Sequence, residues 1–159
     1  MKTIREIMVA LPQQCTRNES LKEIVLRMDK SNIGCLPVVD ETKKVIGIIT
    51  DRDIALALCR GEKRVEDLKV HEVMTTKVHT IRPEDHTVSA LKMMRTMRVG
   101  RLPVVDEEQR LKGMVSLNRI LRNNYGTEEA PELEYAGAEN ILNTLHSIAE
   151  RNSLHYMES

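Results

Sequence analysis

Thr50 and Asp53 stand three positions apart at the end of an apolar run, in the segment GIITDRDI (residues 47–54). A hydroxyl followed by a carboxylate at this spacing can cap a helix, because each side chain bonds the backbone N–H of the other residue. The same two groups at a helix N-terminus can also hold a polyol next to a phosphate, which helix N–H groups attract. The spacing therefore leaves two roles open, a structural cap and a ligand contact.

The composition limits what surrounds this pair. The chain has 159 residues, with 24 Lys and Arg against 24 Asp and Glu, so its formal net charge is zero. A neutral chain with three Tyr, no Phe and no Trp has neither the charge nor the stacking surface typical of nucleic-acid binding. Because no apolar run reaches the roughly 20 residues of a membrane span, we expect neither nucleic acid nor membrane as a partner. The length suits one compact domain or two small halves.

The cysteines and histidines do not form a metal or disulfide pattern. Cys15, Cys35 and Cys59 are odd in number and far apart, and the five His show no ligand spacing. The N-terminus lacks the long apolar stretch of a signal peptide. These features favour a cytoplasmic protein with reduced thiols and no bound metal.

The chain contains an internal repeat. GCLPVVDE (34–41) matches GRLPVVDE (100–107) at seven of eight positions, an offset of 66. We place one copy at 3–60 and the other at 69–124, joined by a linker at 61–68. Two copies are too few for a solenoid, so the repeat predicts a pseudo-twofold pair that buries one face of each copy.

Each copy is predicted to be a β-α-β-β-α unit, which makes the fold class α/β of the α+β type. Ser20 and Glu23 form a capping box before a helix that we expect Gly34 to end. In the first copy, strands at 36–39 and 45–49 precede a helix at 50–59; in the second, strands are expected at 102–105 and 111–115. Short strands at 15–16 and 79–81 would precede the first helix of each copy. The apolar helix faces are predicted to be Leu21, Ile24, Val25 and Met28 in the first copy, and Ala90, Leu91, Met94 and Met97 in the second.

After the repeat, residues 125–136 read as an acidic linker and 137–152 as a C-terminal amphipathic helix. Ile141, Leu145 and Ile148 recur at helical spacing. We expect them to be buried on the body of the protein or on a second subunit. Together with the small halves, this helix predicts a homodimer.

The repeated pattern resembles the CBS domain, the module named after cystathionine β-synthase. The resemblance rests on LPVVD followed by GIITDRDI or GMVSLNRI, in the same order twice. It is similar to stand-alone CBS pairs, including a hypoxic-response type with a similar TDRDI segment. It implies two motifs packed sheet to sheet, two clefts between them, and association into disc-like dimers.

The resemblance also implies a ligand, since CBS clefts often bind AMP, ADP, ATP or S-adenosylmethionine. Cys35, Leu36 and Pro37 would supply an apolar slot and backbone hydrogen bonds for the base. Asp53 would accept from the ribose hydroxyls, and Thr50 would bond ribose or phosphate. The phosphate would meet the N-terminus of the helix that follows Thr50.

The second copy departs from this pattern. Arg101 precedes LPVV and resembles the basic residue that meets phosphate in some family members. Ser116 keeps the hydroxyl, but Arg119 stands where the first copy has its carboxylate, and Arg has no acceptor for a ribose hydroxyl. The cleft of Leu102, Pro103 and these residues therefore either binds a different ligand, such as an anion, or stays empty.

These expectations lead to two hypotheses from different classes. The first is a regulatory module that senses an adenosine nucleotide, needs no cofactor, performs no catalysis and signals to an unknown effector protein. The second is a protein-interaction dimer that binds no nucleotide. An enzyme is the weakest hypothesis, because the sequence has no nucleophile–base pair, metal site or P-loop.

Overall fold

The computed structural model describes residues 2–61, 63–125 and 142–149. None of its described helices is both long and apolar enough to cross a membrane. In chain order the elements are α1 (Ile4–Ile7), β1 (Val9–Ala10), β2 (Cys15–Thr16), α2 (Leu21–Ser31), β3 (Cys35–Val39), β4 (Val45–Thr50), α3 (Asp51–Cys59), α4 (Val70–Val73), α5 (Thr87–Met97), β5 (Arg101–Val105), β6 (Leu111–Ser116), α6 (Leu117–Tyr125) and α7 (residues 142–149).

The chain divides into two compact units. The Thr50 unit comprises the described residues of Leu11–Val78 and Glu107–Leu111, and its sheet has the order β2-β3-β4. The Ser116 unit comprises those of Met1–Ala10, His79–Asp106 and Lys112–Ser159, with the sheet order β1-β6-β5. Within the Thr50 unit, β2 pairs with β3 in parallel and β3 with β4 antiparallel.

The start of each repeat lies in the unit built mainly from the other repeat. In the Ser116 unit, β1 pairs with β6, and a Cβ on Gly113 would lie 2.6 Å from the sulfur of Met8. In the Thr50 unit, a Cβ on Gly47 would lie 2.7 Å from the sulfur of Met74. Each strand therefore needs glycine where a methionine crosses it. The matching offsets of these methionines and glycines were visible in the sequence, whereas their exchange between the repeats was not.

Helix α2 contributes several buried side chains to the core of the Thr50 unit. Its capping box is formed, with Glu23 N donating to Ser20 Oγ at 3.3 Å and Ser20 N donating to Glu23 Oε2 at 3.1 Å. The prediction that Gly34 ends this helix is wrong. The helix ends at Ser31, because Asn32 adopts the left-handed conformation (φ 49°) that short polar side chains tolerate. Leu21, Ile24 and Met28 are buried, but Val25, predicted on the same face, is exposed.

Helix α5 contributes several buried side chains to the core of the Ser116 unit, and α7 covers part of this core. Ala90, Leu91 and Met94 are buried as predicted, whereas Met97 is exposed beyond the core. On α7, Ile148 packs against the core cluster, and the buried hydroxyl of Thr144 donates to Leu91 O at 3.4 Å.

The rest of the predicted α7 face has a mixed outcome. Leu145 is 42% exposed in this chain, because the helix turns Thr144 and Ile148 rather than Leu145 toward the core. Ile141 lies outside the described residues. In the sheet of this unit, the strand expected at 79–81 is reduced to one parallel bridge between Ile81 and Val104.

Candidate functional site

The strand β3 brings three of the predicted site residues next to Thr50. It runs antiparallel to β4, with Cys35 opposite Thr50, Leu36 opposite Ile49 and Pro37 opposite Ile48. All five residues of β3 are buried. The antiparallel register therefore fixes Thr50 beside the first residue of an apolar strand.

Thr50 and Asp53 form a reciprocal cap at the start of α3. The Thr50 hydroxyl donates to Asp53 Oδ2 at 2.7 Å and accepts from Asp53 N at 3.2 Å. The backbone N–H of Thr50 donates to the same carboxylate oxygen at 2.9 Å. The structural role foreseen from the spacing is therefore present, and it holds the carboxylate in one orientation.

The second carboxylate oxygen of Asp53 is not used by the cap. Oδ1 makes no hydrogen bond within the residues that the structure describes. The carboxylate is partly buried, and its unbonded oxygen has lone pairs for two donors. The cap thus leaves an oriented acceptor at the N-terminus of α3.

The N–H groups of the first turn of α3 are already bonded. Asp51 N donates to Gly34 O at 3.1 Å, Arg52 N to Asp51 Oδ1 at 2.8 Å, and Asp53 N to the Thr50 hydroxyl. The same turn carries two carboxylates, those of Asp51 and Asp53, and one cation, Arg52, so its net charge is negative. The expectation that a phosphate meets unbonded N–H groups here is not met by this geometry, because the donors are occupied and the nearby charge is negative.

The corresponding position of the Ser116 unit is built differently. The Ser116 hydroxyl accepts from Arg119 N at 3.3 Å, but the Arg119 Nε donates to Ile7 O at the end of α1. Arg119 therefore ties the exchanged N-terminal helix to this unit, a role that its sequence position did not reveal. Leu102 and Pro103 are buried on β5, and Arg101 is exposed at the start of that strand.

Cys15 is a core residue on β2, beside β3 in the same sheet. It is 1% exposed, and its sulfur contacts Pro37 O at 3.8 Å. Burial raises the pKa of its thiol to about 12, with the nearby charge of Glu19 acting in the same direction. Because the thiolate is the reactive form, this thiol is inert at neutral pH. Cys35 is also buried, so both cysteines belong to the packing of β3.

The sequence matches the model of the CBS domain twice, at residues 4–60 and 70–126. The chain belongs to the CBS domain family. The predicted fold class is confirmed: a CBS pair of mixed α and β structure with two sheets and a C-terminal helix.

Similar proteins include enzymes and separate CBS pairs. L-aspartate semialdehyde sulfurtransferase of Methanocaldococcus jannaschii is 36% identical over 119 residues, which cover 75% of this chain but 22% of that enzyme. This chain therefore spans about a fifth of that relative. The solved CBS domain pair of protein MJ0100, in complex with 5′-methylthioadenosine and S-adenosyl-L-methionine, is 31% identical, with a TM-score of 0.69 over 79% of this chain and 98% of that one. Hypoxic Response Protein I, solved with two coordinated zinc ions, is 27% identical, with a TM-score of 0.69 over 77% of this chain and 99% of that one.

Two further features of this CBS pair bear on its ligands. In the described part of the chain, no group of three or more His, Cys, Asp and Glu could hold a metal ion.

The Thr50 unit also contains a groove of about 300 Å³ that sequence reasoning missed, although Gly34 and Gly100 occupy matched positions in the repeat. Its lining residues are Met28, Asp29, Asn32, Ile33, Gly34 and Asp51.

Proposed function

We propose that this CBS pair is a regulatory module that binds an adenosine compound at the Thr50–Asp53 site and performs no catalysis. The observation that carries the proposal is the oriented Asp53 carboxylate, with Oδ2 held by the cap and Oδ1 without a partner among the described residues. The two hydroxyls of a ribose are donors that one carboxylate can accept together. Hydrogen bonds to a charged acceptor contribute about 1.5–3 kcal/mol each.

The neighbouring strand supports a base site in the same unit. Cys35 begins β3 opposite Thr50, and Leu36 and Pro37 continue it as buried apolar residues. An apolar strand start with backbone polar groups suits a purine, which needs a flat apolar contact and a few hydrogen bonds. We therefore propose Cys35, Leu36 and Pro37 as base contacts and Thr50 and Asp53 as ribose contacts.

The charge at the start of α3 favours some adenosine compounds over others. Asp51 and Asp53 lie in its first turn, and the N–H groups there already have acceptors. A ligand with a neutral thioether or a cationic sulfonium at its 5′ carbon avoids the repulsion that a triphosphate meets. We therefore propose the order S-adenosylmethionine and methylthioadenosine first, AMP next, and ADP and ATP last. The ligands of the MJ0100 pair support this order.

The Ser116 unit is proposed as the weaker site. Its hydroxyl is retained, but Arg119 replaces the carboxylate and is bonded to Ile7 O. Arg101 remains a proposed phosphate contact because it is an exposed cation beside Leu102 and Pro103. A ligand there would be an anion rather than a ribose.

Calorimetric titration of the full chain with each of the five compounds tests the proposal. Asp53→Asn keeps an amide oxygen for the cap but turns an amide N–H₂ toward the ligand, so affinity should fall tenfold or more while the fold holds. Glu23→Ala is the matched control, because it removes a capping carboxylate from α2, away from the site. Equal binding by Asp53→Asn and wild type would show that the Thr50–Asp53 pair only caps the helix and does not contact the ligand. Tighter binding of ATP than of S-adenosylmethionine would overturn the charge argument alone.

The second candidate is an interaction dimer without a ligand, in the cytoplasm and acting through an effector protein. The observation that favours it is the apolar surface of Leu26 and Leu56, which are 60% and 41% exposed in the Thr50 unit. We propose that the protein is a homodimer under either function. Light scattering at micromolar concentration should then give a dimeric mass. A monomeric mass would contradict it, and binding of none of the five compounds would favour the interaction dimer over the sensor.

A further inference from the structure

The two units contain grooves at equivalent positions, built in the same way. Asp51 N donates to Gly34 O at 3.1 Å in the Thr50 unit, and Leu117 N donates to Gly100 O at 2.9 Å in the Ser116 unit. In each unit this bond joins the start of a strand to the start of the helix that follows the next strand. The helix that precedes each glycine forms the other wall.

In the Ser116 unit, the groove is filled by α7. Ile148 packs against the cluster that contains Met94 and Leu117, and a Cβ on Gly100 would lie 3.9 Å from Ile148 Cδ1. Thr144 lies one turn earlier and donates to Leu91 O at 3.4 Å. This groove is therefore a helix-binding groove, occupied by a segment of the same chain.

In the Thr50 unit, the equivalent surface is a groove of about 300 Å³. Val25, one turn before the lining residue Asp29 on α2, is 39% exposed, whereas the equivalent Leu91, whose carbonyl bonds Thr144 of α7, is 4% exposed. Met28 and Ile33 line the groove and correspond to Met94 and Val99, which belong to or pack on the same cluster as Ile148. The apolar floor that holds a helix in one unit is thus present in the other.

The charges of the two grooves differ in sign. Asp51 stands where the filled groove has Leu117, and Asp29 stands where it has Arg95. A Cβ on Gly34 would lie 2.6 Å from Asp51 Oδ2, so glycine is what lets this carboxylate lie in the groove. In the sequence, α7 is uncharged, and the surrounding segment 138–152 carries Glu139, Glu150 and Arg151, so its net charge is negative. Such a segment suits the basic groove and is repelled by the acidic one.

We propose that the groove of the Thr50 unit binds an amphipathic helix of a partner protein, which carries apolar residues at the spacing of Thr144 and Ile148 and Lys or Arg at its flanks. The apolar residues would cover Met28, Ile33 and Val25, as α7 covers their counterparts. The cations would pair with Asp29 and Asp51 in charge-assisted contacts. This proposal is independent of any adenosine ligand.

Two labelled synthetic peptides measured by fluorescence anisotropy test it on the full chain. The acidic peptide has the sequence of residues 138–152, and the basic peptide has the same sequence with Glu139→Lys and Glu150→Lys. The protein's own α7 protects the other groove, because a tethered segment has an effective concentration in the millimolar range. Wild type should bind the basic peptide at least tenfold more tightly than the acidic one, and the difference should shrink as salt is raised.

The double variant Asp29→Arg/Asp51→Leu is the specificity control. It installs the residues of the sister groove, which the same fold accepts, and should reverse the preference toward the acidic peptide. If the double variant does not fold by circular dichroism, Asp29→Lys at an exposed position of α2 should still abolish the preference for the basic peptide. Equal binding of the two peptides, or a preference unchanged by these variants, would overturn the proposal. A further outcome is that wild type binds neither peptide and the double variant loses its dimeric mass. This result would show that a second copy of the chain occupies the groove, and it would also overturn the proposal.

Discussion

The Thr50 and Ser116 units use one scaffold but give its equivalent positions different tasks. Three positions after the helix-capping hydroxyl, the Thr50 unit has Asp53, whose carboxylate keeps one oxygen without a hydrogen bond among the described residues. The Ser116 unit has Arg119 at this position, and its side chain donates to the end of α1. The residue directly after the cap is Asp51 at an unfilled groove in one unit and Leu117 beneath α7 in the other. At both positions, the Thr50 unit has a carboxylate where the Ser116 unit has a residue used in an internal contact, a hydrogen bond for Arg119 and core packing for Leu117.

The difference begins with the exchanged N-terminal segments. Both are held by the same backbone bonds: Ile4 N donates to Asp85 O at 2.8 Å, and the equivalent Val70 N donates to Glu19 O at 3.0 Å. Only α1 has the additional donor from Arg119 among the described contacts. Helix α4 has an additional contact of its own, with His71 Nδ1 3.0 Å from Arg17 O, so variants at matched positions should compare how strongly each helix is held.

The largest effect is expected at the end of α1. Ile7 is 1% exposed in the core of the Ser116 unit, so Ile7→Ala should lower the free energy of unfolding by about 2–5 kcal/mol. The matched Val73→Ala in α4 removes less from a half-buried position and should cost about 1 kcal/mol. Urea unfolding measures both. Equal losses would mean that the last apolar side chains of the two exchanged helices contribute alike, despite their different burial.

The next effect concerns α7. Deletion of residues 137–159 should lower the free energy of unfolding by about 2 kcal/mol, because it uncovers Leu91 and leaves the half-buried Ile148 contact unmade. Ile148→Ala should reproduce about half of this loss, and Leu142→Ala, at an exposed position of the same helix, should be nearly neutral. If the deletion changes neither stability nor oligomeric mass, α7 is not part of the assembly.

The sequence predicted β2, the strands β3 to β6, the long helices and the cap at Thr50, because the repeat shows most of these local patterns twice. It did not predict β1, which pairs with a strand distant in sequence, and the strand expected at 79–81 is a single bridge. It did not predict the roles of Gly34 and Arg119. Gly34 has the type of a helix terminator, but it lies against the carboxylate of Asp51, which is distant in sequence. Arg119 bonds a carbonyl 112 positions earlier in the chain, a contact that only the exchanged segment creates. Likewise, helical periodicity identified α7 but not which of its faces packs.

The smallest expected effect on stability concerns Glu6 and Glu72, the capping carboxylates of the two exchanged helices. Thr3 N donates to Glu6 at 2.7 Å, and this backbone bond is the main reason why the pKa of Glu6 is lowered from 4.5. The pKa of Glu72 is also lowered, chiefly by the side chain of Lys63 and then by the backbone of Lys69. Because both folded pKa values lie below the unfolded ones, the stability that these carboxylates contribute is present above pH 4.5 and is lost as the pH falls below it.

Salt should therefore distinguish the two carboxylates. In 1 M salt the Debye length is about 3 Å, so the exposed pair of Lys63 and Glu72 is screened, whereas the backbone bond of Glu6 is not. Urea unfolding of Glu6→Gln and Glu72→Gln, at pH 7 and pH 3 in low and high salt, measures this. The deficit of Glu72→Gln relative to wild type at pH 7 should shrink in high salt, and that of Glu6→Gln should persist. Both deficits should diminish at pH 3, where the wild-type carboxylates begin to protonate. Identical salt responses would show that Lys63 contributes nothing to α4 and that the two exchanged helices are capped alike.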